Sequence, residues 1–172
     1  MRQLCIVIYL VVCSIFIPQV YAHAPDDALA NMAYVVGDET HSQKVILVEG
    51  KYRYPDEHPL LYVYYEGKFV YGDFNRDGLQ DAAVVIYDSG GGSGYSTNLA
   101  FLINDGTQLV HKSSHDLGYR PDIIFLNEED GRVIIDMRVY DENTWAEGIK
   151  KRRRLYMNML APPRGAQVLV IR

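Results

Sequence analysis

From about residue 40 onward the chain alternates apolar and polar positions with a period of two, and turn-forming residues interrupt the alternation at short intervals. Residues 44–48, Glu49-Gly50 and residues 51–54 predict a hairpin. Residues 60–65, Glu66-Gly67 and residues 68–71 predict a second. Residues 82–87 and 98–103 are apolar runs suited to buried strands, and Asn104-Asp105-Gly106 turns the chain into residues 107–111. Residues 123–126 and 132–140 flank Glu129-Asp130-Gly131. In the second of these, Val133, Ile135, Met137 and Val139 fall on one face, Asp136 and Arg138 on the other. Residues 153–159 and 167–171 complete the set, the last preceded by a Pro162-Pro163-Arg164-Gly165 loop. Only Pro25-Asp26-Asp27, with Leu29, Met32, Ala33 and Val36 following and Gly37 as terminator, has a helical period. No composition break divides the chain. The pattern predicts a mainly-β domain, an antiparallel meander with a short N-terminal helix.

The N-terminus reads as a cleavable signal peptide over residues 1–22. Arg2 supplies the charged n-region, residues 4–17 are fourteen uncharged residues, Pro18 breaks the helix, and Val20-Tyr21-Ala22 fits a cleavage site. Spanning a bilayer takes about 20 residues, so no retained transmembrane segment is expected. Cys13 follows Val12 where a lipobox needs a small residue. The mature chain is then residues 23–172, one domain, periplasmic or secreted. Both cysteines, Cys5 and Cys13, leave with the signal, so stability must come from the core, aided by any bound metal. Losing Arg2 takes the net charge from −5 to −6, which argues against general nucleic-acid binding.

One loop has metal-ligand spacing. Asp73-Phe74-Asn75-Arg76-Asp77-Gly78-Leu79-Gln80-Asp81 follows the pattern D-x-N-x-D-G-x-x-D. Oxygens of Asp73, Asn75, Asp77 and Asp81, with the Leu79 carbonyl, can converge on a hard cation, and Gly78 permits the sharp turn. Three carboxylates on one short loop repel one another, which itself points to a cation. An EF-hand is excluded, because Val84 stands where its bidentate Glu belongs and residues 82–87 look like a strand. The segment 72–85 resembles the calcium loops of FG-GAP and VCBS-type repeats, which lie between two β-strands. That resemblance implies calcium at the same five residues. With one copy in the chain, it implies the loop and not a propeller. A looser resemblance, through the glycines of 90–94, the strand at 99–103 and the hairpin around Gly131, is to small exported bacterial proteins of unassigned function, and implies no activity.

Other constellations lack the neighbours their chemistry needs. Asp88-Ser89-Gly90-Gly91-Gly92-Ser93-Gly94-Tyr95 misses the Lys of a phosphate loop and the second glycine of a serine elbow. His111 and His115 are four apart with Asp116 nearby, but Lys112 replaces the Glu of a helical zinc motif and Ser113-Ser114 suggests a strand end. Lys150-Lys151-Arg152-Arg153-Arg154 puts Arg152, Arg154 and Tyr156 on one strand face. It reads as a solvated run pairing with Asp141, Glu142 and Glu147, with an anionic envelope polymer or lipid headgroup as the functional alternative. The tyrosines, Tyr62 and Tyr64 on one face and Tyr65 on the other, read as sheet packing, with a sugar-stacking surface including Trp145 as the alternative. Glu128, Glu129 and Asp130 suit a solvated hairpin tip. The expectation is an exported calcium-binding β-domain, a non-enzymatic binding or envelope-associated module with an unknown envelope or extracellular partner. The alternative is a hydrolase acting on envelope polysaccharide or polymer.

Overall fold

The computed structural model describes residues 26–37, 42–54, 61–90, 94–140, 148, 150–159 and 167–169. The signal-peptide reading, Trp145, the acids of 141–147 and the loop at 162–165 lie outside them. A four-residue helix α1 (Asp26–Leu29) is followed by eleven strands: β1 (Ala33–Gly37), β2 (Ser42–Ile46), β3 (Lys51–Arg53), β4 (Leu61–Gly72), β5 (Asp81–Gly90), β6 (Ser96–Asn104), β7 (Leu109–Tyr119), β8 (Asp122–Glu129), β9 (Arg132–Tyr140), β10 (Lys150–Met157) and β11 (Gln167–Leu169). They form a five-stranded sheet in the order β3-β4-β5-β6-β7, a four-stranded sheet in the order β11-β10-β9-β8, and the β1-β2 hairpin. Every pairing is antiparallel. The protein is a mainly-β, antiparallel single domain.

The layers follow from β5. Ala82, Ala83, Val84, Val85, Ile86 and Tyr87 are all buried, so both faces of the five-stranded sheet need cover. On one face Ala83, Val85, Tyr87, Leu99, Phe101 and Leu117 pack against Val133, Ile135, Met137, Val139, Leu155 and Met157 of the four-stranded sheet. On the other, Val63, Ala82, Val84, Ile86, Ala100 and Leu102 pack against Leu29, Tyr34, Val36, Val45 and Leu47 of the N-terminal segment. Each fully buried Val, Leu or Ile contributes about 1.5–3 kcal/mol. Tyr64 stacks on Tyr87 at 4.8 Å, with Tyr62 and Tyr95 beside it, while Tyr65 packs on the opposite face.

Three pairings depart from the sequence pattern. The helix stops at Leu29, and Ala33–Gly37 is a strand. Tyr34 and Val36 point inward from β1, and the Tyr34 hydroxyl donates to the Leu29 carbonyl at 2.8 Å. The β-branched and aromatic run prefers a pleated surface to a helix. Glu49 and Gly50 do turn the chain, with φ of 53° and 76°, but only Val48 and Lys51 pair across them. Beyond that bridge β2 pairs with β1, and β3 with β4. Glu66-Gly67 makes no hairpin. It is a bulge inside the continuous strand β4, where the register jumps from Tyr65↔Ile86 to Phe69↔Val84, because both flanking halves find the same partner, β5.

The basic run behaves as its alternation predicts, with Leu155 and Met157 inward and Arg152, Arg154 and Tyr156 outward. Among the described residues its acid partners are Asp122 and Asp136, while the expected Asp141, Glu142 and Glu147 lie outside them. Lys150 Nζ donates to Asp122 Oδ1 at 2.8 Å and lies 4.6 Å from the Tyr140 ring centroid. Arg152 Nε donates to Asp136 Oδ1 at 2.8 Å, Arg152 Nη2 bonds Asp136 Oδ2, and Arg154 Nη2 reaches that same oxygen at 2.9 Å. Asp136, which the alternation puts on the outer face, is only 1% exposed under these guanidiniums. The Arg152 hydrogen bonds hold its carboxyl well below the usual range, against the opposing cost of desolvation, and Arg154 adds to them. A carboxylate depressed in the folded state contributes stability above its unfolded value, about 3.9, that is lost as pH falls through the folded one. Asp136→Asn should therefore lower the urea midpoint at about pH 7 and narrow the gap between midpoints at about pH 7 and about pH 3. Equal pH dependence in both proteins would count against this assignment.

Candidate metal loop and polar cleft

The 73–81 loop joins β4 to β5 and is seated by one aromatic ring. Phe74 is buried, edge-on to Phe101 with centroids 5.3 Å apart. Gly72 lets the Phe74 ring and Glu128 close over the backbone, since a Cβ there would lie 2.6 Å from Glu128 Cγ. Arg76 and Gly78 take positive φ, 63° and 86°, and curl the chain between its acids.

Each carboxylate of the loop receives backbone N–H groups. Asp73 accepts from Asp77 N and Gly78 N, both at 3.0 Å. Asp77 accepts from Leu79 N at 2.8 Å and from the Asn75 side-chain amide at 2.6 Å, while Asn75 Oδ1 accepts from Asp77 N at 3.0 Å. Asp81 is fully buried and accepts from Phe74 N at 2.9 Å, Asn75 N at 3.3 Å and Asn104 N at 2.9 Å. Burial pushes its carboxyl up, and those three hydrogen bonds work in the other direction. The five sequence-predicted ligands thus share one compact loop, beside a recess of 190 Å³ lined by Gly72, Asp73, Gly78, Leu79 and Gln80. Among the described residues no three His, Cys, Asp or Glu side chains converge as a metal centre. Charge repulsion between the acids does not by itself demand a cation, because six N–H dipoles already compensate it. The donor set still fits a hard cation in kind, being oxygen throughout, and Asp81 already draws both ends of the loop together.

A cavity of 720 Å³ lies elsewhere, between β1 and the polar end of the five-stranded sheet. Asp88, Asn98, Ser114 and Asp116 line it together with His111 and Lys112. Asp88 continues the inward face of Ile86 past the point where the N-terminal hairpin covers it. Burial pushes its carboxyl up, and no hydrogen-bond or ion-pair partner meets it among the described residues. On β7 the register slips by one residue at Lys112, so Leu102 faces His111 while Phe101 faces Ser113. That bulge puts His111 and Ser114, three apart, on one face, with His111 Nε2 3.0 Å from Ser114 Oγ. It also puts His115, four from His111, on the opposite face against Phe101. The two histidines share no site. Burial lowers the pKa of His111 and keeps the ring neutral near pH 7, with a hydrogen bond to the Ser113 backbone opposing the shift. Alternation alone misses this cleft. The available signal was polar residues, Asp88 and Asn98, at the ends of otherwise apolar runs.

Comparison with known protein families, curated proteins and solved structures gave no match.

Asp81→Ala should cost about 3 kcal/mol in urea unfolding, since it strands the buried N–H of Phe74 and the half-buried N–H groups of Asn75 and Asn104. Asp73→Ala, which frees only exposed donors, should cost about 1 kcal/mol or less. Equal losses would show that Asp81 is not the structural acid of the loop.

Proposed function

We propose that the protein is an exported, periplasmic or secreted, calcium-binding β-domain that serves as a non-enzymatic binding module. The observation that carries this reading is the 73–81 loop, where Asp73, Asn75, Asp77, Asp81 and the Leu79 carbonyl lie on one tight turn between two strands of the central sheet. Calcium there would be held by these five oxygen donors. It would supply a positive charge to three acids that otherwise rely on N–H dipoles. The loop is tied by Asp81 to Asn104, so a bound ion would brace the turn between β6 and β7 as well. The polar cleft beside β1 is the ligand site of the module. Its unpaired, half-buried Asp88 favours a small polar ligand that brings a hydrogen-bond donor.

Binding to the folded state alone raises stability by about 2.7 kcal/mol at a free concentration 100 times the dissociation constant. Extracellular modules bind calcium at about 10⁻⁴ to 10⁻³ M. Millimolar calcium should raise the melting temperature of the wild type, and Asp77→Ala should abolish the rise. Glu66→Gln, at the β4 bulge far along the strand from Gly72, should retain it. An unchanged melting temperature in wild-type protein would make the loop an ordinary turn.

The second reading, a hydrolase, is favoured by the His111–Ser114 contact, a hydroxyl paired with a neutral imidazole in the polar cleft. Against it, no carboxylate orients His111 among the described residues, and Ser114 is exposed on a strand. A fluorophosphonate reagent separates the two. The binding-module reading expects no labelling, whereas labelling lost in Ser114→Ala would establish the hydrolase.

A further inference from the structure

The outer face of the four-stranded sheet is positively charged on a chain of net charge −5. Cross-strand register places Arg152 directly opposite Arg138, Arg154 opposite Asp136, and Lys150 opposite Tyr140. Like charges facing each other across a ladder cost stability. Arg138 is exposed and has no ion-pair partner among the described residues, and the Arg152 side chain stays 63% exposed while bonded to Asp136. Asp136 neutralises one guanidinium and fixes the positions of two. Asp122 offsets Lys150. Among the described residues, four cations over two acids leave a local excess of two.

The same face carries apolar surface. On β8 the register slips at Ile124, which turns Phe125 outward to pair with Asp136. Ile124 and Phe125 are 46% and 47% exposed, and Phe125 lies opposite the Asp136 that holds the guanidiniums, at the edge where β8 meets Gly67, Lys68 and Phe69 of the β4 bulge. Exposed apolar side chains beside fixed cations match an interface between water and anionic lipid, where the rings enter the headgroup layer and the cations meet phosphate. A soluble polyanion would use the cations and gain nothing from Ile124 and Phe125.

We propose that this face docks the protein on an anionic phospholipid surface, with Arg138, Arg152 and Arg154 meeting headgroup phosphates, Ile124 and Phe125 inserting, and Asp136 as the positioning residue. The surface lies on a different sheet from the calcium loop and does not depend on it. Co-sedimentation with vesicles of phosphatidylcholine, with and without phosphatidylglycerol, tests the proposal. Full-length protein should bind the anionic vesicles only, and binding should weaken steeply with salt. Arg138→Gln and Phe125→Ser change exposed side chains and should leave the urea midpoint near wild type. Each should weaken partitioning about five-fold. Absence of binding to anionic vesicles would overturn the proposal, as would binding insensitive to both substitutions. Binding to soluble polyphosphate that Phe125→Ser does not alter, without vesicle binding, would replace lipid with a polyanion.

Discussion

Burial of β5 on both faces constrains the rest of the architecture. Six successive side chains, Ala82 through Tyr87, lie out of water, and a single sheet cannot achieve that alone. The four-stranded sheet closes one side and the N-terminal hairpin the other, so the short β1 and β2 complete a core rather than decorate it. The strand also begins in a buried acid. Asp81 precedes Ala82 and gives the three backbone N–H groups at this end of the sheet a common acceptor, which lets the apolar run start abruptly after a polar loop.

What alternation could predict, it predicted well. The inward set Val133, Ile135, Met137 and Val139 is the core face of β9, and the apolar runs at 82–87 and 98–103 are central strands. Pairing was less legible, because a turn signal does not say whether its flanks will find each other. Glu66-Gly67 has hairpin composition, yet both of its flanks lie along β5. The loop at 73–81 was legible because its donors are local in sequence. The cleft was not, because it depends on a one-residue slip at Lys112 that no periodicity announces. The same slip separates His111 from His115, a pair that strict alternation would have placed together.

The two candidate sites use carboxylates in opposite ways. In the loop, acids are surrounded by N–H dipoles, so their charge is stabilised before any ion arrives. In the cleft, Asp88 is half-buried and its burial is uncompensated. The first arrangement favours a defined backbone shape, and the second leaves unsatisfied acceptor capacity for a ligand. The outer face of the four-stranded sheet combines both, since Asp136 is saturated while the guanidiniums it anchors keep exposed surface.

The bulge in β4 adds two residues relative to β5, and the number matters because side chains on a strand alternate with a period of two. Tyr65 and Phe69, on either side of it, both contribute to the core shared with the N-terminal hairpin, while Tyr64 and Val70 both contribute to the opposite one. An even insertion preserves parity, so the strand can lose or gain length here in pairs without exchanging its two sides. A change of one residue would turn Phe69 and Tyr71 toward the wrong layer and bring Val70 with them in the other direction. Length variation at this point is therefore quantised, with even steps compatible with both cores and odd steps incompatible with either.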